Sequence, residues 1–283
     1  PNNLVRIDTS TVEFSNFRFL NELQSIGLNG SIAKDPNANL KINLKDFDLA
    51  NFNIATKRSG INLEGKVSGN AQVSGIYDEL FLTNQLRVDS LILNDVLVGS
   101  GELNNTWIPS TKSIQVFGLF RRGDKTSLSV VGEFLPGADR KQNFNLKASV
   151  DRIPLSLFDP YVEKVLTEVK GTAKADLTLK GKLKTPKLSG YVVLKEADMM
   201  VTYLNTRFRV NDTVQVRPDG FYLENLTALD EEDNLGKING WVKHDNFKNF
   251  RFDAKLNAQE FLALNTNSAM NTRDDGRAYG SGQ

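Results

Sequence analysis

The sequence predicts an all-β protein: an elongated, folded-over antiparallel sheet with one or two short helices. Three observations lead to this prediction. Short segments alternate apolar and polar residues with the period of two that a strand with one dry and one wet face shows. Joins rich in Gly, Asp and Asn separate these segments, as the connections of β-hairpins do. The same spacing of motifs returns after 106 residues, which indicates a modular β-structure.

The clearest alternation lies in residues 173–180. One side of this predicted strand is apolar and the other is polar. The apolar side carries Ala173, Ala175, Leu177 and Leu179, and the polar side carries Lys174, Asp176, Thr178 and Lys180. Residues 181–186 are predicted to form a turn, because Pro186 cannot donate a ladder hydrogen bond. The next strand begins near Leu188.

Most of the chain predicts further strands of this kind. Residues 4–34 predict short strands around a turn at Asn29 and Gly30. Further strands are predicted at 38–47, 65–75, 79–88, 91–103, 113–121, 126–135, 142–151, 196–217, 220–229, 235–244 and 247–258. Hairpin joins are predicted at 104–105, 122–124 and 136–139.

One segment has the period of a helix instead. Val162, Val165, Leu166 and Val169 fall at i, i+3, i+4 and i+7, which predicts an amphipathic helix of about three turns within 155–170. Asp159 is suited to the N-cap position, and the proline that follows it is suited to the first helical position.

Composition excludes several classes of function. The net charge of +1 and the scattered lysines give no field for nucleic acid, so we expect no nucleic-acid partner. There is no cysteine and only one histidine, which rules out thiolate metal sites and any His-pair mechanism. No apolar run reaches the ~20 residues of a membrane-spanning helix. The chain begins with Pro1 rather than Met, and we expect it to be a piece of a longer protein.

The internal repeat rests on two matched motifs. In each of two glycine pairs the glycines are ten residues apart. A three-residue motif, an apolar residue followed by any residue and then Leu, begins 18 residues before the first glycine of each pair; we call this motif a step. The pairs are Gly65 with Gly75 and Gly171 with Gly181, and the steps are 47–49 and 153–155. A third step lies at 261–264. We therefore predict the end of a preceding unit at 1–64, units at 65–170 and 171–279, and the truncated start of another at 280–283.

Each predicted strand has one apolar face. Removing apolar surface from water is favourable by ~25 cal/mol per Å², so a sheet of this many strands is expected to cover that face. The sheet must curl into a barrel, collapse into a sandwich with a side-chain core, or form a trough that something else fills. Two similar consecutive units favour the trough. The predicted lining residues are Ile42, Leu44, Leu128, Val130, Phe134, Phe144, Leu146, Leu177, Leu179, Phe250, Phe252 and Leu256. An ordinary core filled by the same side chains is the alternative.

Residues 153–194 resemble the repeat of the AsmA-like superfamily, a group of bridge-like lipid transfer proteins, and most closely the TamB family (translocation and assembly module). The resemblance rests on an apolar-Pro-Leu step, an amphipathic segment, two glycines ten apart, a Pro-Lys-Leu-Ser-Gly run and a later Ala. These are 153–155, Gly171, Gly181, 186–190 and Ala197. The first unit departs from the pattern, with Asp48 and Ile54 in place of Pro154 and Pro160 and no proline after Gly75.

The resemblance implies a periplasmic protein that bridges the two membranes and is anchored in the inner membrane through a segment outside this sequence. The implied fold is a β-taco, a folded-over sheet that forms a repeating hydrophobic β-groove. The implied function is the movement of phospholipid between the membranes, with acyl chains in the groove. The implied protein partner is a BamA-like outer-membrane barrel of the TamA type, which contacts parts outside this sequence.

The main alternative is a scaffold that presents sheet edges to nascent outer-membrane strands and so aids their insertion or secretion. A transmembrane barrel is disfavoured because no aromatic girdles are visible. An adhesin or glycan binder is disfavoured because Trp107 and Trp241 are too few to supply exposed aromatic loops.

Polar motifs predict no catalysis. Residues 230–233 form an acidic run that lacks the spaced ligands and glycine of a calcium loop, and we interpret it as a solvated hairpin tip. His244 has no nucleophile or second base in its motif, and we interpret it as an exposed loop residue. We therefore expect no enzyme activity, no catalytic residue, no cofactor and no metal.

Overall fold

The computed structural model describes residues 3–21, 23–35, 37–56, 61–77, 80–137, 141–163, 165–182, 184–245, 248–266 and 276–282. This part of the chain is all-β and contains no helix of seven residues or more. The strands form a long antiparallel sheet, so the predicted fold class is confirmed.

Strands follow one another through the chain and alternate buried with exposed positions. The first nine are β1 (Leu4–Ile7), β2 (Thr11–Asn21), β3 (Gln24–Ala33), β4 (Asn39–Asp48), β5 (Leu63–Ser74), β6 (Phe81–Leu93), β7 (Val96–Ile108), β8 (Ser113–Arg122) and β9 (Lys125–Phe134). The others are β10 (Phe144–Pro154), β11 (Leu166–Lys182), β12 (Thr185–Val201), β13 (Thr206–Val210), β14 (Thr213–Arg217), β15 (Gly220–Leu229), β16 (Leu235–Asp245), β17 (Lys248–Thr266) and β18 (Gly276–Gly282).

The chain divides into two compact units. Unit 1 comprises Pro1–Ala148 with Leu179–Pro186, and unit 2 comprises Ser149–Thr178 with Lys187–Gln283. In unit 1 each strand from β1 to β8 pairs antiparallel with the next. In unit 2, β12 pairs with both β13 and β14, these two pair with β15, and the sheet continues in order through β18.

The strands bend at β-bulges whose central residue has a positive φ. Each bulge adds one residue, so apolar side chains on its two sides are three apart and remain on one face. Such pairs are Leu44 with Phe47, Val88 with Leu91, Leu223 with Leu226, and Ala258 with Phe261. In each pair the residue just before the second member has a positive φ. These are Asp46 at 47°, Ser90 at 53°, Asn225 at 53° and Glu260 at 51°. The bulges therefore keep the apolar face continuous while bending the sheet.

The repeat of 106 residues is visible in the backbone. Two 3-10 turns, Leu49–Phe52 and Leu155–Phe158, each lead into one turn of α-helix, α1 (Asn53–Thr56) and α2 (Asp159–Val162). One repeated glycine shows why its position requires that residue. A Cβ on Gly171, at φ +98°, would lie 2.4 Å from the carbonyl oxygen of Glu196, and the matching distance for Gly65 to the Ser90 oxygen is 2.6 Å.

Each unit has its own cluster of buried side chains beside its bulges. The cluster of unit 1 consists of Val67, Val88, Leu91, Val98 and Phe120. The cluster of unit 2 consists of Leu155, Ala173, Ala197, Val210, Leu226, Ala228, Ala258 and Phe261.

The predicted three-turn helix within 155–170 is wrong in length. Helical structure ends at Val162, and β11 begins at Leu166. Val169 packs against the buried cluster of unit 2 as part of that strand, and the β-branched neighbours of Leu166 favour an extended backbone. Asp159 does not cap the helix with its side chain, because the N-cap position belongs to Phe158.

Two predicted turns are also wrong, and a third is shorter than predicted. Asn29 and Gly30 lie inside β3, and residues 104–105 lie inside β7, whose hairpin turn follows at 109–112. In these two cases long strand pairing outweighed a local turn preference. The β11–β12 connection does lie within the predicted 181–186, but β11 extends to Lys182 and β12, which includes Pro186, begins at Thr185. The predicted hairpin at 122–124 is confirmed, with β8 ending at Arg122 and β9 beginning at Lys125.

Candidate functional site

In unit 1 the strand register places Ile42, Leu44, Leu128, Val130 and Phe134 on one face of the sheet. Leu44 lies opposite Gly69, and the same row continues through Leu86, Leu103 and Gly118 to Val130. The next row on the same side runs from Ile42 through Ala71 to β6. At the far end, the rings of Phe134 and Phe144 lie 5.5 Å apart between centroids. The result is one apolar face across several strands.

Unit 2 has an apolar face of its own. Cross-strand partners place Gly190, Val216, Phe221, Val242 and Phe252 in a single row. Ala254 and Leu256 follow Phe252 on the same side of β17. Ala254 lies opposite Gly240, and Leu256 lies opposite Ile238. Phe252 is 76% exposed and Leu256 is 40% exposed, so this end of the face is open to solvent.

The predicted lining residues are less buried than the residues of the buried clusters, some of which lie on the same face of unit 1. The predicted lining residues other than those on β17 are all half-buried, and none belongs to the fully buried set. They are Ile42, Leu44, Leu128, Val130, Phe134, Phe144, Leu146, Leu177 and Leu179. The side chain of Phe250 lies outside the described residues. At ~25 cal/mol per Å², covering the remaining apolar surface would be favourable for any apolar ligand.

Two polar side chains interrupt the apolar face of unit 1. Asn84 on β6 and Asn105 on β7 are directly opposite each other in the register. The side-chain carbonyl oxygen Oδ1 of each is buried and has no hydrogen-bond partner among the described residues. An unpaired buried polar atom costs about 1–3 kcal/mol. Sequence reasoning missed this pair, because it placed residues 104–105 in a hairpin join.

The opposite face of unit 1 is polar and contains a cavity of about 840 Å³. Exposed residues of two neighbouring rows line it, including Arg18, Asn29, Lys41, Asn43 and Asn70. Asn43 Nδ2 donates a hydrogen bond of 2.8 Å to Asn70 Oδ1. The lining also includes Ile42, Ala71 and Asn84, which form one row of the apolar face.

The acidic run does form a hairpin tip, but its first residue is not solvated. Asp230 is fully buried. Its carboxylate accepts hydrogen bonds from the backbone N–H groups of Leu262 at 2.7 Å, Asn234 at 2.9 Å and Glu232 at 2.9 Å. Burial opposes ionisation, but these bonds and one from the Asn234 side chain outweigh it and lower the pKa of Asp230. The carboxylate therefore ties the β15–β16 hairpin to β17.

The interpretation of His244 as an exposed loop residue is wrong. His244 lies within β16 and is 9% exposed. Its backbone N–H donates to the carbonyl oxygen of Asp219 at 3.0 Å, and its ring lies 5.9 Å from that of Phe221. The strand pairing that buries this residue could not be read from the local polar sequence.

Within the described residues, each unit offers an extended apolar surface. Within the described ranges, no group of three or more His, Cys, Asp or Glu side chains could hold a metal ion. Over the same part of the chain, no helix has the length and apolar character that a membrane crossing needs. Comparison of the chain with protein-family models, curated proteins and solved structures found no match.

Proposed function

We propose that this chain is a section of a periplasmic, membrane-bridging protein whose apolar sheet faces carry phospholipid between the inner and outer membranes. The observation that carries the proposal is the state of the lining side chains. They share one face in each unit, yet they are half-buried or exposed instead of sealed in a core. Acyl chains are the apolar ligand that such a surface suits.

The bent sheets support this function in a second way. Residues of the buried clusters flank several of the bulges, and the predicted lining residues are not among the buried members of either cluster, although Leu44 and Leu128 pack against that of unit 1. Side chains that are only partly covered leave apolar surface that an apolar occupant can contact. The resemblance to the TamB family supplies the envelope location, the inner-membrane anchor outside this sequence and the outer-membrane barrel partner of the TamA type.

The scaffold alternative predicts a different dependence on the structure. Strand pairing uses the backbone of a sheet edge, so proline on an edge would abolish it while charges on the apolar face would not. Lipid carriage has the opposite sensitivity. The two functions can therefore be separated by where a substitution acts.

Native mass spectrometry of the protein purified without detergent tests lipid carriage. The expected result is that phospholipid remains bound to a substantial fraction of the molecules and is lost when they are unfolded. Protein that is folded by circular dichroism, carries no lipid and takes up none from phospholipid vesicles would contradict the proposal.

A further inference from the structure

Among the residues whose cross-strand partners are described, Asn84 and Asn105 are the only polar ones on four rows that cross the apolar face of β4 to β9. The other positions on the four cross-strand rows that begin at Leu40, Ile42, Leu44 and Phe47 are aliphatic, aromatic or glycine wherever a partner is described. The two asparagines face each other across neighbouring strands. They form one polar spot in an otherwise apolar wall.

The surroundings of this spot exclude water from it. Asn84 is 6% exposed. Leu82 and Leu86 lie two positions away on the same side of β6, and Ala71 lies opposite on β5. Both Oδ1 atoms are buried and lack a partner among the described residues, although each can accept hydrogen bonds. A buried acceptor pair of this kind is incomplete without a donor.

We propose that Asn84 and Asn105 form a binding site for the polar end of an acylated glycerol with a free hydroxyl group. The hydroxyl would donate to the Oδ1 atoms, and its acyl chains would lie on the apolar residues to either side. This inference rests on the proposed function, because it assigns a preferred resting position to a lipid on the face that carries it.

The chemistry selects a donor and not merely a polar group. An ether or ester oxygen can only accept, so it would leave both Oδ1 atoms unpaired. A hydroxyl satisfies at least one of them in a site that water does not reach, where hydrogen bonds are strong. Two ligands that differ only in this hydrogen should therefore bind with different affinities.

The test measures the binding of two soluble probes to the full 283-residue chain by isothermal titration calorimetry. One probe is dioctanoylglycerol, which has one free hydroxyl, and the other is the same lipid with that hydroxyl methylated. The wild-type protein should bind the hydroxyl probe about three- to tenfold more tightly, the range expected for one additional hydrogen bond. The methylated probe keeps the oxygen and loses only the donor.

Valine substitutions test whether the two asparagines cause the tighter binding of the hydroxyl probe. Asn84→Val with Asn105→Val should bind both probes with equal affinity, since valine offers no acceptor and suits a strand. Each single substitution is measured as well, so that the result does not depend on the folding of the double variant. The matched control is Asn104→Val, on the neighbouring residue whose side chain belongs to the other face and donates to Glu102 at 3.1 Å. It should keep the wild-type preference.

The outcomes separate this site from the function on which it rests. Equal binding of both probes by the wild type would overturn the site while leaving lipid carriage intact. A preference that survives in the valine variants would also overturn it. If neither probe binds to the folded wild-type protein, the site fails, whereas the proposed function fails only if the protein also takes up no phospholipid from vesicles.

Discussion

Replacing Phe252 with aspartate is expected to abolish lipid capture by unit 2 while leaving its fold intact. Phe252 is 76% exposed, so the substitution removes little buried surface and creates no cavity. It lies on the apolar face opposite Val242, where an acyl chain would have to cover the new carboxylate. Burying an unpaired charge costs several kcal/mol, so the phospholipid bound to unit 2 should fall at least about tenfold, which native mass spectrometry measures as a lower number of lipids per chain.

The matched control for this change is Asn257→Asp on the same strand. Asn257 is exposed and lies on the opposite side of β17, where it pairs in register with Lys237. The control adds the same charge to the wet face, and bound lipid should stay at the wild-type level. Equal lipid content in the two variants would show that the apolar face of β17 takes no part in binding.

Replacing Asp230 with alanine is expected to destabilise unit 2 by about 3–5 kcal/mol, a large effect for a single substitution. The carboxylate is fully buried and accepts hydrogen bonds from three backbone N–H groups and from Asn234 Nδ2. Alanine would leave these buried donors unpaired and free the hairpin from β17. Urea denaturation at pH 7, followed by circular dichroism, measures the change in the free energy of unfolding.

The effect of Asp230→Ala on the free energy of unfolding should depend on pH. Because the folded state lowers the pKa of Asp230, the carboxylate contributes its stability above the unfolded value of about 3.9 and loses it as the pH falls through the folded value. The difference between wild type and variant should therefore be large at pH 7 and shrink in strong acid. Asp124→Ala, at the exposed β8–β9 turn, is the control and should change stability by less than about 0.5 kcal/mol. A small effect of Asp230→Ala at pH 7 would show that the carboxylate does not anchor β17.

Local pattern was sufficient to predict the strands and their two faces. The alternation at 173–180 appears as predicted, with Ala173 and Ala175 buried, Leu177 and Leu179 half-buried, and Lys174 and Asp176 exposed. This succeeds because side-chain direction in a strand is a property of the strand itself. The same alternation does not report how deeply a face is covered, so Leu177 and Phe252 looked alike in sequence although only Phe252 is largely exposed.

Features that depend on register could not be predicted in this way. The pairing of Asn84 with Asn105 joins residues on two strands, and the local turn preference of 104–105 pointed to a different structure. The burial of Asp230 depends on Leu262, which is 32 residues away. One signal was nevertheless present in the sequence. Apolar residues spaced by three, such as Leu44 and Phe47, mark the bulges that bend the sheet.

Site-specific photo-crosslinking tests the central claim most directly. A benzophenone amino acid is placed at Leu179 or Phe252 on the apolar faces, and at Lys180 or Asn257 on the wet faces as controls. The protein is irradiated in the presence of phospholipid vesicles, and covalent lipid adducts are measured by mass spectrometry. Lipid carriage predicts adducts at Leu179 and Phe252 and none above background at the two controls. Folded protein that forms no lipid adduct at Leu179 or Phe252, or forms as many at the controls, would contradict it.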